Sequence, residues 1–284
     1  MQKNNAIIIL LACLILIFSF SCKRKNTPIS IIPEALKNHL QRARLFENVK
    51  SVETLTYYYS DQDSIFVFYN KNIQYYNSEG YFIEELNLDK NNDTLSKKTL
   101  YFLPNANENY WLENNYKEGS IVKDSFIYDK NGFKSEEHFL LNYSLLYRIQ
   151  YKTDAIGSII EMKRFLPKYQ LVNKIDYNAQ GLVERIEEFD PENKLYKFIT
   201  IEYDQYGDEL NRRVFDNANR LIEYTYTQYN KESALQKIIY SDELSNMRED
   251  KIYARHDAAR NWLEEITMQG RDTLRKRVRT IAYY

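Results

Sequence analysis

The sequence predicts an all-β protein built as one long antiparallel meander. Its unit is a two-strand repeat of about 25 residues. The sheet is expected to be curled or partly closed, preceded by one short N-terminal helix. Three observations carry this expectation. The 284 residues include 26 Tyr against 7 Gly and 5 Pro, and Tyr favours strands. From Val49 onward the chain alternates with period two, as in Leu55, Tyr57 and Tyr59 set between Thr54, Thr56 and Tyr58. A five-residue turn signature then recurs at near-constant spacing, which marks a repeat architecture.

Residues 1–21 read as a secretory leader. Lys3 and the terminal amine precede an unbroken apolar run of 13 residues, Ala6 to Phe18, and then Ser19-Phe20-Ser21-Cys22. A charged start, a short apolar stretch and small residues before a cut site define a signal peptide. The 13 apolar residues fall short of the ~20 that a spanning helix needs. The small-x-small-Cys ending resembles the lipobox of bacterial lipoproteins, which implies that Cys22 is acylated as the new N-terminus. Ser19 and Phe20 depart from the strict pattern. Cys13 lies within the leader, so Cys22 would remain as a lone cysteine, better suited to acylation than to redox chemistry. Several acyl chains on one residue exceed the two-signal requirement for stable anchoring.

Residues 22–32 form a tether that opens Cys22-Lys23-Arg24-Lys25, a basic stretch that suits anionic head groups. By the same resemblance, Lys after the Cys implies passage to the outer membrane. The acidic run that some lipoproteins use for surface display is absent, which favours a periplasm-facing position over surface exposure. Residues 33–48 are expected to be a helix. Pro33 and Glu34 stand in its first turn, Arg42 and Arg44 near its end, and Leu36, Leu40 and Ala43 on one face.

The β domain spans 49–284. Tyr76-Asn77-Ser78-Glu79-Gly80, Tyr128-Asp129-Lys130-Asn131-Gly132, Tyr177-Asn178-Ala179-Gln180-Gly181 and Tyr203-Asp204-Gln205-Tyr206-Gly207 are copies of one unit. Degenerate copies are read at Tyr151, Tyr229 and Tyr253, with a worn one near Phe102. Second turn signals lie midway, as in Asp190-Pro191-Glu192-Asn193 and Asp216-Asn217-Ala218-Asn219. The Asp or Asn at the first turn position caps backbone N–H groups, and the fourth position favours Gly because φ > 0 is often needed there. Each signature therefore closes a hairpin. Counting turn to turn predicts roughly 16–18 strands of about 8 residues, a sheet too large to stay flat.

These copies resemble the YD-repeat (Rhs-like) proteins, whose repeats coil into a β-sheet shell. The resemblance runs over about residues 50–284 and extends to a closing segment, Arg260-Asn261-Trp262-Leu263-Glu264-Glu265 and then Arg275 to Tyr284, like that of small envelope lipoproteins of this type. The Arg that commonly follows the motif Gly is replaced by Tyr81, Phe133, Leu182 and Asp208. The chain is short for the toxin-enclosing shells and carries no toxin region, so the resemblance implies the architecture and not toxin delivery.

Catalytic signatures are missing. There is no Gly-rich phosphate loop, no Gly-x-Ser-x-Gly and no His-Glu-x-x-His. His39, His138 and His256 have no metal-ligand spacing, so neither metal nor cofactor is expected. The pairs Glu84-Glu85, Glu136-Glu137, Glu187-Glu188 and Glu264-Glu265 invite comparison with glycosidase carboxylates. However, Glu84, Glu136 and Glu161 each fall four residues after a repeat Gly, so they belong to the repeat, and strand neighbours point to opposite faces.

Two groups suit a binding surface. Tyr224 and Tyr226, with the repeat Tyr residues and Trp262, could stack on a sugar or pack a partner; the alternative is cross-strand packing inside a curled sheet. Arg275, Arg277 and Arg279 share one face of the last strand. They suit an anionic glycan, lipid or partner, or else a charged edge that discourages aggregation. The net charge of −1 argues against nucleic acid. The expected function is a lipid-anchored, non-enzymatic envelope scaffold or protein-binding module; the alternative is a carbohydrate-binding lipoprotein that stacks sugars on Tyr and Trp. Expected partners are the membrane through Cys22 and an envelope protein or glycan.

Overall fold

In the computed structural model of the chain, the described residues are 45, 47–60, 62–102, 108–231 and 234–284. They form eighteen strands: β1 (Val49–Ser60), β2 (Ile65–Tyr76), β3 (Phe82–Leu88), β4 (Thr94–Phe102), β5 (Glu108–Asn115), β6 (Ser120–Tyr128), β7 (Lys134–Leu141), β8 (Ser144–Thr153) and β9 (Ile159–Phe165). The second half follows with β10 (Gln170–Tyr177), β11 (Val183–Phe189), β12 (Leu195–Tyr203), β13 (Glu209–Asp216), β14 (Leu221–Tyr229), β15 (Leu235–Asp242), β16 (Met247–His256), β17 (Trp262–Gln269) and β18 (Asp272–Tyr283).

Each strand pairs antiparallel with the next, and β18 pairs with β1. The sheet is therefore a closed up-and-down barrel, which corrects the expectation of a curled or partly closed sheet. Closure runs from Val49↔Tyr283 to Tyr58↔Arg275. It is locked where the Tyr284 N–H donates to Asn48 O at 3.0 Å and the Tyr284 hydroxyl donates to Tyr76 O at 2.5 Å. Leu45, Val49, Val52 and Tyr76 pack together beneath this seam, with Phe82 and Ile281 against them. Accumulated twist brings the two end strands together, and pairing them removes both exposed edges.

The predicted helix is the second correction. No helix is present among the described residues, where Glu47 has φ +66° and β1 begins at Val49; 33–44 and 46 lie outside them. The leader and Cys22 also lie outside them, as do residues 103–107, next to the worn copy expected near Phe102.

The turns repeat one set of hydrogen bonds. At Asp129, the backbone N–H donates to Phe133 O (2.8 Å) and the carbonyl accepts from Gly132 N (3.0 Å). Its Oδ1 accepts from the N–H groups of Asn131 (2.8 Å) and Phe133 (3.0 Å). Asn77, Asn178 and Asp204 make the same four bonds, and so do Asp89, Asp190 and Asp216 at the opposite rim. The fourth residue has positive φ, filled by Gly or by Asn92, Asn193 and Asn219. This is an Asx-capped turn closing a bulged hairpin.

Two repeat copies shift register. Asp154 and Asp257 occupy the Asx position, so Thr153 and His256, rather than Tyr151 and Tyr253, stand where the signature has Tyr. At this position the hydroxyls of Tyr177, Tyr203 and Tyr229 donate to the carbonyls of Ile159 (2.9 Å), Val183 (2.8 Å) and Glu209 (3.3 Å). His256 Nε2 lies 2.6 Å from Leu235 O and takes the same role. One polar tip thus ties each of β10, β12, β14 and β16 to the start of the strand before it.

Register sorts the wall into two faces. One carries Val52, Thr54, Gln74, Glu85, Ser96, Trp111, Ile149, Tyr253, Glu265 and Thr267. Most of these are buried, so this face is the interior. The other carries a belt of paired charges, among them Glu53–Lys71 (2.7 Å), Glu84–Lys97 (2.8 Å), Glu202–Arg213 (2.6 Å) and Glu264–Lys276 (3.0 Å). A lipid-facing barrel wall is an apolar band. This exterior is charged instead. Both members of each Glu-Glu pair do face opposite sides: Glu84 meets Lys97 outside, while Glu85 lies inside with Asn72.

Candidate functional site

The richest polar grouping lies inside the wall where β17, β18, β1 and β2 meet. Alternation along β18 sends Arg275, Arg277 and Arg279 inward, against Thr267, Glu265, Tyr58, Thr56 and Thr54 on the flanking strands. Because β18 pairs on both sides, it is not an edge, and the reading of these arginines as an edge guard is overturned.

One carboxylate serves two of the three cations. Glu265 is 1% exposed. Its Oε1 accepts from Arg277 Nε (2.7 Å) and from Arg277 Nη2, and from Thr267 Oγ1 at 3.3 Å, with Arg275 Nη2 at 3.8 Å. Arg279 has no carboxylate partner among the described residues. Its guanidinium lies 3.5 Å from the centroid of the Trp262 ring, which also packs on Tyr253 at 5.4 Å. Burial, reinforced by the neighbouring Arg277 charge, draws the Arg279 group down to about 10. Burial also raises the nearby Tyr76 phenol to about 12. The structure therefore joins Trp262 to the arginines, a link that no sequence spacing announces. Tyr224 and Tyr226 lie elsewhere, on the outer face of β14, where the Tyr224 hydroxyl bonds Asn211 at 3.0 Å.

A second interior cluster lies on β6–β8. Glu137 Oε2 accepts from the Tyr151 hydroxyl (2.6 Å) and from Lys134 Nζ (2.5 Å). Asp124 stands nearby with Oδ1 buried and unpartnered. Burial, then repulsion from Glu137, raises the Asp124 carboxyl to about 6. A raised folded-state pKa means that the native protein holds this proton where the unfolded chain has lost it. The contribution of Asp124 therefore favours folding near pH 4 and is lost as pH rises through about 6. Asp124→Asn should remove that component and stabilise the protein at pH 7 by about 1 kcal/mol, the shift being discounted for partial solvent access. Urea melts of both proteins at pH 4 and 7 check this; an equal pH slope in the two would contradict it.

On the outer wall, a depression of about 540 Å³ is lined by Glu136, Gln150, Lys152, Glu161 and Lys163. The bond from Gln150, with His138 beside it, lowers the Glu136 carboxyl, the opposite of what a general acid requires. No group of three metal-ligating side chains converges among the described residues.

The β1–β2 hairpin was not singled out from the sequence. On its far side β2 pairs with β3 only from Lys71 onward, so Ile65–Asn70 overhangs as an edge that is unpaired among the described residues. Ile65, Val67 and Tyr69 are exposed there, and Tyr69 is 59% exposed. Cross-strand rings stiffen the overhang, with Tyr58 on Tyr69 at 4.9 Å and Tyr59 on Phe66 at 5.5 Å. The period-two aromatics of 55–69 were its only sequence signal.

Fold and site together define a closed 18-stranded meander barrel whose interior face carries a cluster of arginines about a buried glutamate. No family model matches the chain, and no curated protein matches it. Among solved structures it is similar to a porin-like protein from Bacteroides uniformis, with 13% identity, TM-score 0.44, and coverage of 82% of this chain and 96% of that one. It is also similar to TcdB2-TccC3 without its hypervariable C-terminal region (10% identity, TM-score 0.36) and to the Photorhabdus luminescens Tc holotoxin pore (10%, 0.34). The similarity covers 14% of each of those two toxin chains and 78% and 77% of this one.

Proposed function

We propose that this protein is a lipid-anchored, non-enzymatic binding module of the bacterial envelope, related to the YD-repeat proteins. The barrel stands on the Cys22 tether, outer-membrane bound and facing the periplasm. The observation that carries the protein-binding reading is the overhanging β2 edge, Ile65–Asn70, whose backbone has no partner strand on the β3 side among the described residues. Long, apolar, unpaired edges are what proteins otherwise avoid. Such an edge suits an extended segment of a partner protein that adds a strand, with exposed Val67 and Tyr69 supplying side-chain contacts. The charged outer wall supports a barrel held in water rather than one inserted in lipid.

The test places a photo-crosslinking residue at Tyr69 in native envelopes. One protein should be captured through a contiguous extended segment, and Val67→Lys should cut the yield at least fivefold. A probe at Lys152, on the outer wall, should capture no such segment. Cys22→Ala should move the protein from the membrane to the soluble fraction. Absence of any protein adduct at Tyr69, or an undiminished yield with Val67→Lys, would overturn the docking role. Retention of Cys22→Ala on membranes would overturn the anchor.

A further inference from the structure

Four buried side-chain polar atoms lack a hydrogen-bond partner among the described residues, and three lie in one lane: Arg275 Nε, Arg279 Nε and Asn70 Oδ1. Native interiors leave few such atoms, so three along adjacent strands call for a reason. Register makes the lane contiguous. Arg275 faces Tyr58, Arg277 faces Thr56, and Thr56 faces Asn70 on β2. Two of the arginines keep partial solvent access, with side chains 26% exposed at Arg275 and 29% at Arg277, and Arg279 is half-buried. Three cations face the single buried carboxylate of Glu265, which leaves a positive excess. Guanidinium forks match the paired oxygens of a carboxylate or phosphate. Thr56 and Asn70 offer hydroxyl and amide groups to neighbouring hydroxyls. Tyr58, 44% exposed although it meets the Tyr69 ring edge to face, offers its remaining surface at the end of the lane.

We propose that this lane inside the barrel binds an acidic saccharide, its carboxylate or phosphate held by Arg279 and Arg275 and its sugar ring laid against Tyr58. Arg277 is committed to Glu265 and positions the lane. The proposal goes beyond the docking role of the β2 edge, since it concerns side chains directed into the barrel and a small ligand, not the backbone edge and a partner protein.

Calorimetry on the full lipoprotein in detergent, at low salt, tests it with oligogalacturonate, glucose 6-phosphate, neutral glucose and inorganic phosphate. At least one acidic sugar should bind, neutral glucose should not, and affinity should fall with added salt. Arg279→Gln and Arg275→Gln should each weaken binding at least tenfold with the circular dichroism spectrum unchanged. Arg279→Lys guards against loss of fold. It keeps the charge but not the fork, and it should recover part of the affinity. Tyr58→Ala should weaken acidic sugars and leave inorganic phosphate unaffected. Preference for galacturonate or for the phosphate identifies the anionic group. Binding of inorganic phosphate alone would overturn the saccharide assignment, and absence of binding by every anion, or binding indifferent to both Gln variants, would overturn the site.

Discussion

Glu265→Ala should lower stability by about 3–5 kcal/mol, the usual effect of removing one partner from a buried ion pair. The carboxylate is 1% exposed and accepts from Arg277 and Thr267. Without it, Arg275, Arg277 and Arg279 face one another across two-residue spacings on β18, with no other carboxylate paired to them among the described residues. Partial solvent access to the Arg275 and Arg277 heads places the result toward the lower end of that range. For a domain of this size, 3 kcal/mol corresponds to a Tm about 6–12 °C lower. Two companion measurements identify the cause. High salt should narrow the difference from wild type, since it screens the freed charges. The double variant Glu265→Leu with Arg277→Leu should be less destabilised than Glu265→Ala, because it removes the pair instead of orphaning one partner. A double variant as unstable as the sum of the single ones would show that lost packing, and not charge, is responsible.

The second large effect is expected at a rim turn. Gly157→Ala should cost about 2–3 kcal/mol, whereas Gly132→Ala, in the same place of another repeat, should cost about 1 kcal/mol. Both have left-handed φ, +90° and +80°. What differs is the space around them. A Cβ at Gly157 would stand 2.7 Å from Cδ1 and Cε1 of the Phe133 ring, while at Gly132 nothing lies within 4 Å. The ring of Phe133 would have to turn away from the neighbouring turn, losing packing in addition to the backbone strain. Asn193 and Asn219 already occupy the equivalent position with φ +61° at both, so the turn itself accepts a side chain where there is room. Chemical denaturation of the two single variants decides the matter. Equal losses would mean that φ alone sets the requirement.

Much of the architecture was legible because its causes are local. Asp129 and Gly132 announce a turn through hydrogen bonds that span only five residues, and period-two alternation assigns faces without knowledge of the partner strand. Legibility weakened where the signature was worn. At 151 and 253 the eye follows Tyr, but the backbone follows the Asx residue, because Asp154 and Asp257 supply the capping oxygen. The helix drawn over 33–48 rested on periodicity, and its last residues proved to lead directly into β1. The interior site was half legible. Arg275, Arg277 and Arg279 could be placed on one face of a strand from their spacing. Their company could not be foreseen, because Tyr58 and Asn70 stand more than 200 positions away in the chain.

The sequence by itself therefore determined the repeat, the turn chemistry and the division of each strand into two faces. All three depend on contacts within a hairpin. Only the tertiary structure decided that the meander closes, which face is interior, and that the arginines of β18 lie beside β1 rather than at a solvent edge. Closure joins β18 to β1 after the twist of seventeen successive pairings has accumulated. No single repeat encodes that sum. It is set by strand number, stagger and tilt acting together.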